Sequence, residues 1–98
     1  MQTEQPASCA SLLKVLADET RLAVIRRLMD GPKNVGQLNE GLGVEQTLLS
    51  HHLKVLRNAG LVDAQREGKA VRYSLTPHFK TQSRGEAIDL GCCKLSFD

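Results

Sequence analysis

The side chains with the most distinctive chemistry in this 98-residue sequence are its three thiols. Cys92 and Cys93 are adjacent and follow Gly91, while Cys9 stands near the other end of the chain. Thiolates are soft ligands that select thiophilic ions over Mg²⁺ or Ca²⁺. Neighbouring side chains diverge on an extended strand, but the backbone freedom of Gly91 lets the chain turn and bring both sulfurs together. Three sulfurs suit a trigonal site for a thiophilic metalloid, whereas a closed zinc site usually takes four ligands. Two other readings of the same residues stand beside this one. They are small hydrophobes packed in a tail, or a redox or persulfide switch built on exposed thiols of low pKa. Spacing alone does not rank them. An odd number of cysteines is a poor disulfide framework, and fits working thiols in a reducing cytoplasm better.

The second group with usable chemistry is a set of short polar and basic side chains between residues 45 and 59. Leu49, Leu53 and Leu56 recur at i, i+4 and i+7 as an apolar stripe. Another face of the same helix carries Thr47, Ser50, His51, Lys54, Arg57 and Asn58, with Gln46 beside them. A helix that reads a DNA major groove needs this division, one stripe to anchor it and one face of hydrogen-bonding groups for base edges. Gln46, Thr47, Ser50 and His51 occupy its N-terminal end, and Lys54 and Arg57 follow where phosphates would lie. An isolated helix of this kind is more often a solvated polar surface, so its neighbours decide.

Charge distribution supports the reading. The net charge is only +2, from 13 basic and 11 acidic residues. The excess falls entirely in 45–75, where Lys54, Arg57, Arg66, Lys69 and Arg72 face Glu45, Asp63 and Glu67. A locally basic stretch in a near-neutral chain points to an anionic partner on one face. Tyr73, Phe79 and Phe97 are the only aromatics, too few for a base-stacking platform on single strands. The longest stretch without a charge is nine residues, Gln5 to Leu13, which is too short to span a membrane. No basic, apolar secretory signal opens the chain. Adjacent His51 and His52 point about 100° apart on a helix and do not chelate one ion together, so a DNA contact or a packing role is expected of each. A cysteine nucleophile lacks support, since no phosphate loop, elbow serine or metal-hydrolase helix accompanies it. The chain is not expected to be an enzyme.

The elements that must position these groups follow from caps and periodicity. Ser8 to Leu16 reads as a short helix, and Asp18 caps a second one carrying Leu22, Ile25, Leu28 and Met29 until Gly31-Pro32. Asn34 and Gln37 form a capping box for a short third helix through Val35, Leu38 and Leu42, closed by Gly41 and Gly43. The fourth helix ends at Gly60. Residues 61–66 and 70–75 are strand-like and flank Glu67-Gly68-Lys69, a hairpin whose Arg66, Lys69 and Arg72 suit the DNA backbone or minor groove. In the tail, Ile88, Leu90 and Cys92 alternate, as do Cys93, Leu95 and Phe97, which predicts extended structure around a turn at Gly91, or a short helix followed by a strap. The expected fold is α+β and mainly α, a single winged helix-turn-helix domain over 1–98 with a two-stranded wing. Residues 1–7 are expected to be a flexible N-terminus and 77–98 a C-terminal segment.

Residues 16–22 (LADETRL), 46–62 (QTLLSHHLKVLRNAGLV) and 66–75 (REGKAVRYSL) resemble the ArsR/SmtB family of bacterial repressors. The resemblance covers roughly 10–76. It implies a cytoplasmic homodimer that binds double-stranded operator DNA of dyad symmetry and lets go when an effector binds. Carried onto this chain, the reading positions are Gln46, Thr47, Ser50 and His51. Leu48 departs from the threonine or serine frequent at its position. The family's cysteine motif at the start of the third helix is absent, since residues 34–38 read NVGQL. Its paired Asp/His and His/Glu zinc site is absent too, with only His78, Glu86 and Asp89 at no matching spacing. Some relatives bind trivalent arsenic through relocated cysteines, and Cys92-Cys93 resembles that arrangement. In the family the first helix and the C-terminal segment pack together at the dimer interface. Cys9, from the same or the partner protomer, would therefore complete the site with Cys92 and Cys93. The resemblance favours As(III) or another thiophilic ion as effector, with no obligatory cofactor. The alternatives are a thiol redox or persulfide sensor of the same fold, or a winged-helix protein-interaction domain that does not bind DNA.

Overall fold

The computed structural model describes residues 8–79 and 87–96. Ser8 opens α1 (Cys9–Leu16) by accepting from the Ser11 amide, so the helix starts on the cap expected of it. Asp18 opens α2 (Glu19–Leu28), its carboxylate accepting from the amides of Thr20 at 2.9 Å and Arg21 at 3.0 Å. The hydrogen bond from the Arg21 amide is the main cause that holds the Asp18 pKa below the ordinary carboxylate value. Burial opposes it, and the nearby His52 and Arg21 side chains assist. A lowered folded-state pKa contributes stability above the unfolded value and loses it as pH falls through the folded one. Replacing this cap by alanine (Asp18→Ala) is expected to cost about 1 kcal/mol at neutral pH. In urea melts, the difference from wild type should shrink as acid protonates the carboxylate.

After α2 the chain makes β1 (Lys33–Asn34), then α3 (Val35–Asn39) on a complete Asn34–Gln37 capping box, with bonds of 2.8 and 2.9 Å. The third helix is shorter than its apolar pattern predicts and stops at Asn39 rather than running through Leu42. The Asn39 side chain leaves the helix to bracket Val44, donating to its carbonyl at 2.7 Å and accepting from its amide at 3.0 Å. Gly41 takes a φ of 85° inside this turn, and a Cβ there would come within 3.1 Å of the Arg27 guanidinium.

The long helix α4 (Gln46–Asn58) closes with Gly60 at φ 80° and a bond from the Leu61 amide to the Leu56 carbonyl. Strands β2 (Val62–Glu67) and β3 (Ala70–Leu75) then form the antiparallel hairpin, with Glu67 paired to Ala70 across its tip. Strand β1 pairs with the other edge of β3, Lys33 opposite Tyr73, so the sheet has three strands in the order β1-β3-β2. The wing is thereby tied to the element just before α3, a pairing two residues long that sequence periodicity does not register.

A 3₁₀ turn (Pro77–Phe79) follows, and the tail returns as a second hairpin, β4 (Ala87–Asp89) and β5 (Lys94–Ser96), with Ile88 opposite Leu95. The extended reading of the alternating tail therefore holds over these residues, and no fifth helix occurs among the described ones. The expected flexible N-terminus 1–7, the polar stretch 80–85 and Phe97 lie outside the described residues. One core joins all layers. Leu12 and Leu16 of α1, Val24, Ile25 and Leu28 of α2, and Leu38 meet the α4 stripe Leu49, Leu53 and Leu56, and the tail adds Ile88 and Leu90. Every one of these is nearly inaccessible to water, so the stripe read from helical spacing is the anchor of α4.

Candidate nucleic-acid interface and thiol site

Helix α4 turns Leu49, Leu53 and Leu56 inward and leaves Gln46, Thr47, Ser50, His51, Lys54 and Arg57 exposed along one side. Its orientation is set at both ends. At the start, Glu45 caps the Leu48 amide at 3.2 Å, and the Asn39–Val44 bracket fixes the approach from α3. At the end, the Thr76 hydroxyl donates to the Gly60 carbonyl at 2.6 Å and its amide donates to Leu61, joining helix to wing. Leu48, on the first turn, is 47% exposed. Arg66, Lys69 and Arg72 are exposed on the wing. Arg72 is engaged in the wing itself, donating from Nε at 3.1 Å and from Nη2 at 3.0 Å to Glu67. Both partners are half-exposed, so water screens the pair and its contribution is small.

The two adjacent histidines have different surroundings. His51 is exposed, whereas His52 is buried, and its Nδ1 accepts a hydrogen bond from Arg21 Nε at 3.1 Å. The same guanidinium donates from Nη1 to the Val15 carbonyl at 2.9 Å. Arg21 thus spans α1, α2 and α4. Sequence spacing assigned His52 to packing or DNA without naming this partner, because a contact over 31 positions leaves no local periodicity.

The three cysteines converge although they come from opposite ends of the chain. Their sulfurs lie within 4.8 Å of one another. Gly91 adopts a φ of 91° in the turn between β4 and β5, its amide bonded to Asp89 Oδ1, and the Leu90 amide closes the turn on the Cys93 carbonyl at 2.8 Å. That turn presents Cys92 outward and Cys93 half-buried against the core, both facing Cys9 at the start of α1. Cys9 and Cys92 are joined as a disulfide, with their Cα atoms 6.1 Å apart, and Cys93 is a free thiol. The expectation that these cysteines make a poor disulfide framework is corrected here. Folding brings together residues 83 positions apart, and the third cysteine stays as a thiol beside the bond.

As a donor set the triad is all sulfur, which fits a soft ion once the disulfide is reduced. In the oxidised form one thiol remains, too few to hold such an ion. No helix among the described residues is long and apolar enough to cross a membrane.

Comparison with known proteins agrees with this architecture. Residues 18–64, from the α2 cap into the wing, match the bacterial regulatory protein family arsR. The chain is 41% identical to the HTH-type transcriptional regulator NmtR of Mycobacterium tuberculosis over 90% of its own length and 73% of that protein's. Among solved structures it resembles the cadmium metal-sensor CmtR of Mycobacterium tuberculosis, at 43% identity and a TM-score of 0.60, over 70% of this chain and 71% of that one. It also resembles reduced HlyU of Vibrio cholerae, at 36% identity and a TM-score of 0.64, over 76% and 74%. These relatives are regulators rather than enzymes. With the capped helices, the polar face of α4 and the hairpin wing in the same order, and identity this high along most of both chains, the chain belongs to the ArsR/SmtB family of transcriptional regulators.

Proposed function

We propose that this regulator is a homodimeric repressor that grips operator DNA of dyad symmetry with α4 and the wing, and is released when a thiophilic metalloid such as arsenite binds Cys9, Cys92 and Cys93. The observation that carries the effector reading is the gathering of three sulfurs within 4.8 Å. Each As–O bond of arsenous acid would be exchanged for an As–S bond with loss of water. Gln46, Thr47, Ser50 and His51 would face base edges, and Lys54, Arg57, Arg66, Lys69 and Arg72 the DNA backbone or minor groove. Leu48 suits a thymine methyl, the apolar feature of the major groove. The second protomer would cover Leu13, 41% exposed, and the groove between α1 and the end of α4 lined by Leu12, Val15, Val55 and Ala59.

A gel-shift titration with the cognate operator tests this. Arsenite should release the reduced wild-type protein, whereas Cys92→Ser and Cys93→Ser should keep DNA binding and lose release. Release that survives in both variants would sink the site.

A second reading, thiol redox sensing, is favoured by the Cys9–Cys92 bond. Release on oxidation, with no response to arsenite under reducing conditions, would select it.

A further inference from the structure

The disulfide joins Cys9 to the outer member of the cysteine pair, yet the inner member stands at contact distance from the same sulfur. Cys93 Sγ lies 3.8 Å from Cys9 Sγ. Cys92 is exposed at the turn, and Cys93 is half-buried against the core with its thiol free. We infer that Cys9 is a shared sulfur and Cys93 a resolving thiol, so that the bond migrates between Cys9–Cys92 and Cys9–Cys93 without any outside reagent. The Cys93 thiolate attacks Cys9 Sγ. A Cys93–Cys9 bond forms, the Cys9–Cys92 bond breaks, and its electron pair leaves on Cys92 as a thiolate. One disulfide is consumed and one is made, so nothing is oxidised or reduced overall.

The turn is built for this exchange. The Leu90–Cys93 backbone bond and the Asp89 side chain hold the loop closed, so both partners stay beside Cys9 and little chain movement separates the two pairings. The pairings differ in what they offer to solvent. One leaves an inner thiol shielded by the core, and the other leaves a thiol at an exposed turn, open to small-molecule thiols and disulfides. Exchange therefore alternates the site between a closed and a reactive oxidised form. This deepens the redox reading of the triad and does not depend on DNA binding.

Disulfide mapping of the oxidised full-length chain tests it. The protein is held without oxygen at mildly alkaline pH, quenched in acid at intervals, alkylated and sequenced by fragmentation mass spectrometry. One label per chain is expected, first on Cys93 and then appearing on Cys92 until the ratio stops changing. Oxidised Cys92→Ser should form Cys9–Cys93 and take no label. A label confined to Cys93 at all times, or one on Cys9 from a Cys92–Cys93 bond, would overturn the exchange. So would two free thiols in oxidised Cys92→Ser. Three labels in the oxidised wild type would overturn the disulfide itself, and the redox reading with it.

Discussion

Reduction of the Cys9–Cys92 bond is expected to lower the unfolding free energy of this chain by about 4 to 5 kcal/mol, the chain-entropy value for a loop of this size. The bond spans a sequence separation of 83, nearly the whole chain, so it removes a large share of the conformations open to the unfolded state. Set against the roughly 5 to 15 kcal/mol that stabilises an ordinary domain, the loss is large. Urea melts with and without reductant measure it. The oxidised protein should show a higher midpoint and a smaller m-value, because a cross-linked unfolded chain exposes less surface. Cys9→Ser should be as unstable as the reduced wild type and indifferent to reductant. Cys92→Ser should keep most of the oxidant-dependent gain, because a Cys9–Cys93 bond closes almost the same loop. A gain of less than about 1 kcal/mol in the wild type would show that the ends of the chain already hold each other without the bond.

The second large effect concerns DNA. Lys54 and Arg57 are exposed on the polar side of α4. Each phosphate contact contributes about 0.9 to the slope of log affinity against log salt. Removing both groups (Lys54→Ala with Arg57→Ala) should flatten the slope by about 1.8 for each protomer engaged. At ~0.1 M salt that amounts to a loss on the order of 50-fold per protomer. The loss should be similar for operator and unrelated duplexes, since phosphates carry no sequence. Ser50→Ala and His51→Ala should instead narrow the gap between the two. An unchanged salt slope in the double variant would remove α4 from the contact surface.

Local chemistry made most of this fold legible from sequence. Asp18, the Asn34–Gln37 pair and Gly60 act on backbone groups a few positions away, so their roles could be read in place. The leucine stripe of α4 and the alternation in the tail are periodic for the same reason. The third helix was overestimated because Leu42 continues its apolar spacing, while Asn39 spends its side chain on Val44 and ends the helix. The β1 pairing with Tyr73 and Arg72, the Arg21–His52 contact and the Cys9–Cys92 bond all join distant segments. Such contacts are made by the completed core and carry no spacing signal. At the candidate site, residue types on α4 identified a polar face, and the resemblance joined Cys9 to the pair. Neither could show which two sulfurs bond.

The Arg21 contact also decides the chemistry of the two adjacent histidines. A guanidinium only donates hydrogen bonds, so the imidazole nitrogen it meets must keep its lone pair. In the neutral ring the proton of His52 therefore resides on Nε2, and one tautomer is selected deep in the molecule. Its Nδ1 lone pair is occupied, which withdraws that nitrogen from metal ligation. His51, one position away and exposed, has no such assignment among the described contacts and can present either nitrogen to a base edge.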